Sequence, residues 1–85
     1  MPPVTIYTTS VCPYCHAAKR LLRQKAVAFD EIDLTNNWEG RQALVGKADG
    51  SSTVPQIWIG ERHVGGCDDL YALEAAGELD RLLHG

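Results

Sequence analysis

The stretch Val4-Thr5-Ile6-Tyr7-Thr8-Thr9-Ser10-Val11-Cys12-Pro13-Tyr14-Cys15 decides how the rest of the chain is read. Its first five residues, Val4 to Thr8, are β-branched or aromatic and predict a strand. Thr9-Ser10 then offers capping hydroxyls, and Pro13 suits a first helical turn, where its missing N–H costs little. The strand therefore gives way to a helix predicted over Pro13–Lys25. Ala18, Leu21 and Leu22 recur at i, i+3 and i+4 and supply its apolar face. Lys19, Arg20, Arg23 and Lys25 weight its C-terminal half with positive charge, as the helix dipole favours. Cys12 falls at the junction and Cys15 one turn into the helix.

Two cysteines at i and i+3 share one side of a helical turn, so their sulfurs can close or open a disulfide with little backbone motion. A helix start also presents unsatisfied N–H groups and a positive dipole end, which favour an anion. A thiolate is such an anion. Cysteines in these positions have pKa values of roughly 3.5–7.5, against about 8.5 when free. Cys12 is thus the candidate nucleophile and Cys15, deeper in the helix, the candidate resolving thiol. Two other chemistries fit the spacing. Zinc would need two further ligands, and Cys67, His16, His63 and His84 supply no second close pair. Cys12-Pro13-Tyr14-Cys15-His16 also matches the Cys-x-x-Cys-His haem-attachment pattern. Against haem stand the absence of an export signal and of a suitable axial methionine, since Met1 is the only one.

Beyond this stretch, Ala28–Leu34 predicts a second strand with Phe29 and Ile32 as core residues. Thr35-Asn36-Asn37 offers caps for a helix over Trp38–Ala48, with Ala43, Leu44 and Trp38 as core positions. Asp49-Gly50-Ser51-Ser52 reads as a loop. Gln56–Ile59 and Arg62–Val64 form a predicted hairpin around Gly60-Glu61, a Gly-X pair suited to a tight turn. Gly65-Gly66 ends it. A third helix starts at Cys67 or Asp68 and carries Leu70, Leu73 and Ala76. Gly77 breaks it before a last helical turn, Glu78–Leu83, with Leu79, Leu82 and Leu83. The first β-α-β unit should be parallel and right-handed, and the late hairpin antiparallel.

At 85 residues the chain is expected to be one domain, residues 1–85. The formal net charge of −3 argues against a nucleic-acid partner, which usually needs a basic face. No apolar run reaches the roughly 18 residues of a membrane span. Met1-Pro2-Pro3 lacks the basic start of a signal peptide. A cytoplasmic, reducing compartment is expected, and three cysteines suit redox chemistry there better than a disulfide framework.

Three blocks now stand together: Tyr7-Thr8 leading into Cys12-Pro13-Tyr14-Cys15, then Thr53-Val54-Pro55-Gln56, then Gly65-Gly66-Cys67-Asp68-Asp69-Leu70. In these blocks the chain resembles the glutaredoxin family, and its small bacterial dithiol members most closely. The resemblance implies a thioredoxin fold: α/β, with a four-stranded mixed sheet in the order β-α-β-α-β-β-α, flanked by helices. It implies a cis peptide bond at Pro55. It implies a thiol–disulfide oxidoreductase with Cys12 and Cys15 catalytic, and glutathione as co-substrate rather than a tightly bound cofactor. Tyr14 would line the sulfur site. The backbone at Thr53-Val54 would pair with glutathione like an added strand. The N–H groups of the Gly66-Cys67-Asp68 turn would hold the γ-glutamyl carboxylate, and the Asp68 carboxylate its ammonium.

Disulfide-bearing or glutathionylated proteins, ribonucleotide reductase among them, are the implied partners of a monomeric protein. Rival readings within the resemblance are a redoxin reduced by thioredoxin reductase and an iron–sulfur-binding glutaredoxin. Pro13 and Cys15 disfavour the second. Many relatives carry a lysine where this chain is read to have Thr8. Arg41 is the candidate substitute cation. Cys67 itself reads as a small apolar packing residue. His16, His63 and His84 read as surface or satisfied positions, and Trp38 and Trp58 as packing residues.

Overall fold

A computed structural model describes residues 2–51 and 53–84 of the chain. The elements run β1 (Val4–Thr8), α1 (Pro13–Gln24), β2 (Asp30–Asp33), α2 (Trp38–Lys47), β3 (Gln56–Ile59), β4 (Arg62–Gly65), α3 (Cys67–Ala75) and α4 (Leu79–His84). The sheet order is β2-β1-β3-β4. β1 runs parallel to β2 and antiparallel to β3, and β3 runs antiparallel to β4. This is the mixed sheet of the thioredoxin fold. Ser52, placed in the loop before β3, lies outside the described residues.

Strand periodicity divides the interior in two, because successive side chains point to opposite faces. Val4 and Ile6 from β1, with Ile57 and Ile59 from β3, meet Ala18, Leu21 and Leu22 of α1, Leu70 of α3, and Leu79 and Leu83 of α4. Trp58, between the two isoleucines, faces the other way. It packs with Leu34, with Leu44 and Ala48 from α2 and its C-cap, and with the half-buried Tyr7. Gly60 takes φ +61° in the two-residue turn between Ile59 and Arg62, a value that glycine adopts without strain. Lys25, at the end of α1, bridges Glu74 at 2.7 Å and Asp80 at 3.2 Å, tying α1 to α3 and α4.

The second strand and second helix differ from their sequence reading. β2 is shorter than Ala28–Leu34, and all four of its residues are exposed. Ile32 is 37% exposed, while Phe29 packs at the margin of the larger core. Positions three apart in a strand face opposite sides, so the two could not serve one core, and β2 lies at the edge of the sheet. In α2 only Leu44 is buried. Ala43 points to solvent, and Trp38 is 74% exposed. Ala76 is exposed as well, at the C-cap of α3.

Candidate active site

Cys12 is the N-cap of α1, with extended backbone (φ −151°, ψ 101°). Its Sγ accepts a hydrogen bond from the Cys15 backbone N–H at 3.2 Å. The sulfur thus occupies the position that a Ser or Asp oxygen takes in an ordinary cap. No acidic residue stands in the first turn of α1 to compete for those N–H groups. On its other side the Cys12 thiol donates to the Val54 carbonyl at 3.6 Å. Cys12 is 8% exposed and Cys15 is 0% exposed. Burial pushes the Cys15 thiol up to about 12, and its hydrogen bond with Cys12 adds to the rise. Both cysteines are free thiols in this structure. The geometry therefore supplies an outer sulfur at a helix start and an inner sulfur that holds its proton.

One groove of ≈ 380 Å³ collects Tyr14, Thr53, Val54, Pro55, Gly66, Cys67 and Asp68. The Val54–Pro55 peptide is cis, as the sequence resemblance implied. Gly66 caps α3, and a Cβ there would stand 3.4 Å from the Pro55 carbonyl oxygen. Gly65 at φ +113° leaves room for the Asp69 carboxylate, which accepts the Gly66 N–H at 3.0 Å. Asp68 stands exposed in the first turn of α3. Cys67 is buried in the main core. Burial, and then the charge of Asp68, push its thiol above the usual range.

Arg41 does not join this group. It lines a second groove of ≈ 490 Å³ with Thr9, Val11, Thr35 and Trp38. Thr8 also departs from its reading. Its side chain is 0% exposed, and its hydroxyl donates to Glu31 Oε2 at 2.7 Å. The same carboxylate pairs with Lys19 at 2.9 Å. These two contacts, Lys19 first, hold the Glu31 carboxyl below the usual range. A side chain at position 8 therefore points into the protein. The neighbouring Thr9 faces the groove beside Arg41. Sequence reading also passed over Gln56 and His63, which line the first groove. Gln56 stood inside a quoted motif without a role, and His63 lies across the hairpin, where no short spacing signals it.

Among the described residues, no group of three or more His, Cys, Asp or Glu side chains could hold a metal ion. Among the same residues, no helix is long and apolar enough to cross a membrane. A paired-cysteine site at the start of α1, carried by a thioredoxin fold, defines a thiol–disulfide oxidoreductase.

The comparisons narrow the class. The glutaredoxin family model matches residues 4–64. A glutaredoxin of Pseudomonas aeruginosa is 65% identical over 83 residues, covering 98% of each chain. Glutaredoxin 3 of Escherichia coli is 53% identical over 83 residues, covering 98% of this chain and 99% of its own. The solution structure of a Brucella melitensis glutaredoxin superposes with a TM-score of 0.86 at 53% identity, covering 98% of this chain and 89% of that one. A buckwheat glutaredoxin–glutathione complex does so with a TM-score of 0.89 at 30% identity, covering 98% and 77%. The chain belongs to the glutaredoxin family, and is a glutathione-dependent oxidoreductase.

Proposed function

We propose that the protein reduces both glutathione mixed disulfides and protein disulfides, by two routes that share Cys12. In the first, the Cys12 thiolate attacks the glutathionyl sulfur of a substrate. A Cys12–glutathione disulfide forms and the substrate leaves as a thiolate. A second glutathione thiolate attacks that glutathionyl sulfur, releasing oxidised glutathione and restoring Cys12. In the second route Cys12 attacks a protein disulfide. Cys15 gives up its proton and attacks the Cys12 sulfur, the substrate leaves as a dithiol, and two glutathione molecules reduce the Cys12–Cys15 bond.

The observation that carries this reading is the convergence of Tyr14, Thr53, Val54, Pro55, Gly66, Cys67 and Asp68 on one groove, with the Val54 carbonyl 3.6 Å from Cys12 Sγ. An extended peptide along Val54 would have its sulfur delivered to Cys12. Backbone N–H groups at the start of α3 suit a ligand carboxylate, and Asp68 suits an ammonium. Glutathione carries both groups. Arg41, in the second groove with Thr9 and Val11, is assigned the remaining carboxylate of glutathione. Glutathionylated proteins and disulfide enzymes such as ribonucleotide reductase are the proposed protein partners, met by a single domain acting as a monomer in the reducing cytoplasm.

The test couples glutathione, glutathione reductase and NADPH to a small mixed disulfide, beside a thioredoxin reductase control. Turnover is expected only with glutathione; turnover with thioredoxin reductase alone would overturn the assignment. A Cys15→Ser variant should keep mixed-disulfide reduction and lose protein-disulfide reduction. Loss of both would refute the division of roles.

A further inference from the structure

Gln56 is the one buried uncharged amide beside the groove, and its bonds form a directed chain. Its Nε2 lies 3.0 Å from the Thr53 carbonyl oxygen, 3.2 Å from Thr53 Oγ1 and 3.1 Å from Ser51 Oγ. A carbonyl oxygen only accepts, so the amide must turn its NH₂ toward Thr53. Its Oε1 then faces His63 Nε2 at 2.7 Å, and an amide oxygen also only accepts. His63 Nε2 is therefore the donor. The imidazole is held in place by stacking on Trp58, its cross-strand partner, with centroids 4.5 Å apart and planes 20° apart.

The far end of this chain bears on the ligand. The Thr53 carbonyl and the Val54 N–H belong to one planar trans peptide and point in opposite directions. Tying the carbonyl to Gln56 turns the Val54 N–H away from Gln56. Among the described residues, no backbone carbonyl accepts that N–H. It is the donor that an added strand along Val54 would need.

We propose that Gln56 and His63 are positioning residues that aim the Val54 N–H at the peptide backbone of glutathione. His63 donates to Gln56 and fixes which end of the amide faces Thr53; Gln56 pins the Thr53–Val54 peptide plane. Neither touches the reacting sulfurs. This rests on the glutathione reading of the groove.

His63→Phe keeps a ring on Trp58 but removes the donor, so the Gln56 amide loses the bond that orients it. KM for a glutathionylated peptide should rise about fivefold, the size of one lost hydrogen bond, with kcat and the rate of Cys12 alkylation by iodoacetamide unchanged. His63→Gln restores an N–H donor and should return KM most of the way. Gln56→Glu places a carboxylate oxygen against the Thr53 carbonyl and should raise KM further. An unchanged KM in His63→Phe, or no rescue by His63→Gln, overturns the proposal. So does a parallel fall in alkylation rate, which would mark a general disturbance. If the unaltered protein shows no glutathione-dependent turnover, the reading of the groove fails instead, and that outcome is separately visible.

Discussion

Two helix starts meet at this site, and they are capped in opposite ways. α1 begins on a sulfur: Cys12 accepts the Cys15 N–H, and no acid stands in the first turn. α3 begins on Gly66, with Asp68 and Asp69 both in its first turn and the Asp69 carboxylate on the Gly66 N–H. The dipole of α1 is left to the Cys12 sulfur. That of α3 is already answered by two carboxylates, so a ligand binding there is best served by carrying a cation as well as an anion. The same local geometry leaves one helix start to a sulfur and answers the other with acids.

The largest effect is expected at α1. Cys12→Ser keeps a capping atom but loses the nucleophile, and turnover on either substrate class should fall by about a thousandfold or more, with thermal stability little changed. Retained turnover in the coupled assay would move the chemistry elsewhere. At α3, Asp68→Asn should raise KM for glutathione about tenfold, since bonds to charged groups are the stronger ones. A fall in melting temperature with KM unchanged would reduce Asp68 to a helix-start charge.

Cys15 keeps its proton in the folded state up to about 12, whereas an unfolded cysteine loses it near 9.0. The unfolded state therefore sheds a proton first. This part of the stability is intact below pH 9.0 and declines as pH rises toward 12. Denaturant titrations of the reduced protein above pH 9 should show a flatter decline in Cys15→Ala than in the parent. Equal slopes would mean that the buried thiol is not the cause. The smallest effect is expected at the second groove. Thr9→Lys adds a cation beside Arg41 and should lower the Kd for glutathione about two- to threefold, less at high salt, as an exposed pair does. Calorimetric titration of a Cys12→Ser background would check it without turnover.

The β1–α1 junction, the hairpin and the three motif blocks were legible because each rests on short-range rules: strand composition, Pro13 at a helix start, a glycine turn, caps. The groove followed only through the resemblance, since nothing local says that Thr53, Tyr14 and Asp68 meet. Long-range geometry hid the rest. Thr8 and Thr9 are adjacent and identical, and only the register of β1 decides which one is buried beside Glu31. Trp38 and Ala43 looked like core because they are apolar; α2 covers the sheet with Leu44 alone among its buried residues. The Gln56–His63 bond crosses a hairpin whose register shifts between Ile57 and Trp58, which spacing in the chain does not reveal.

The depth of Cys15 also imposes an order of events. A reagent arriving from solvent meets the Cys12 sulfur, because Cys15 has no exposed surface. In the proposed scheme Cys15 takes part only after Cys12 has become one half of a disulfide and thereby an electrophile. On that scheme the second thiol is held in reserve for the first.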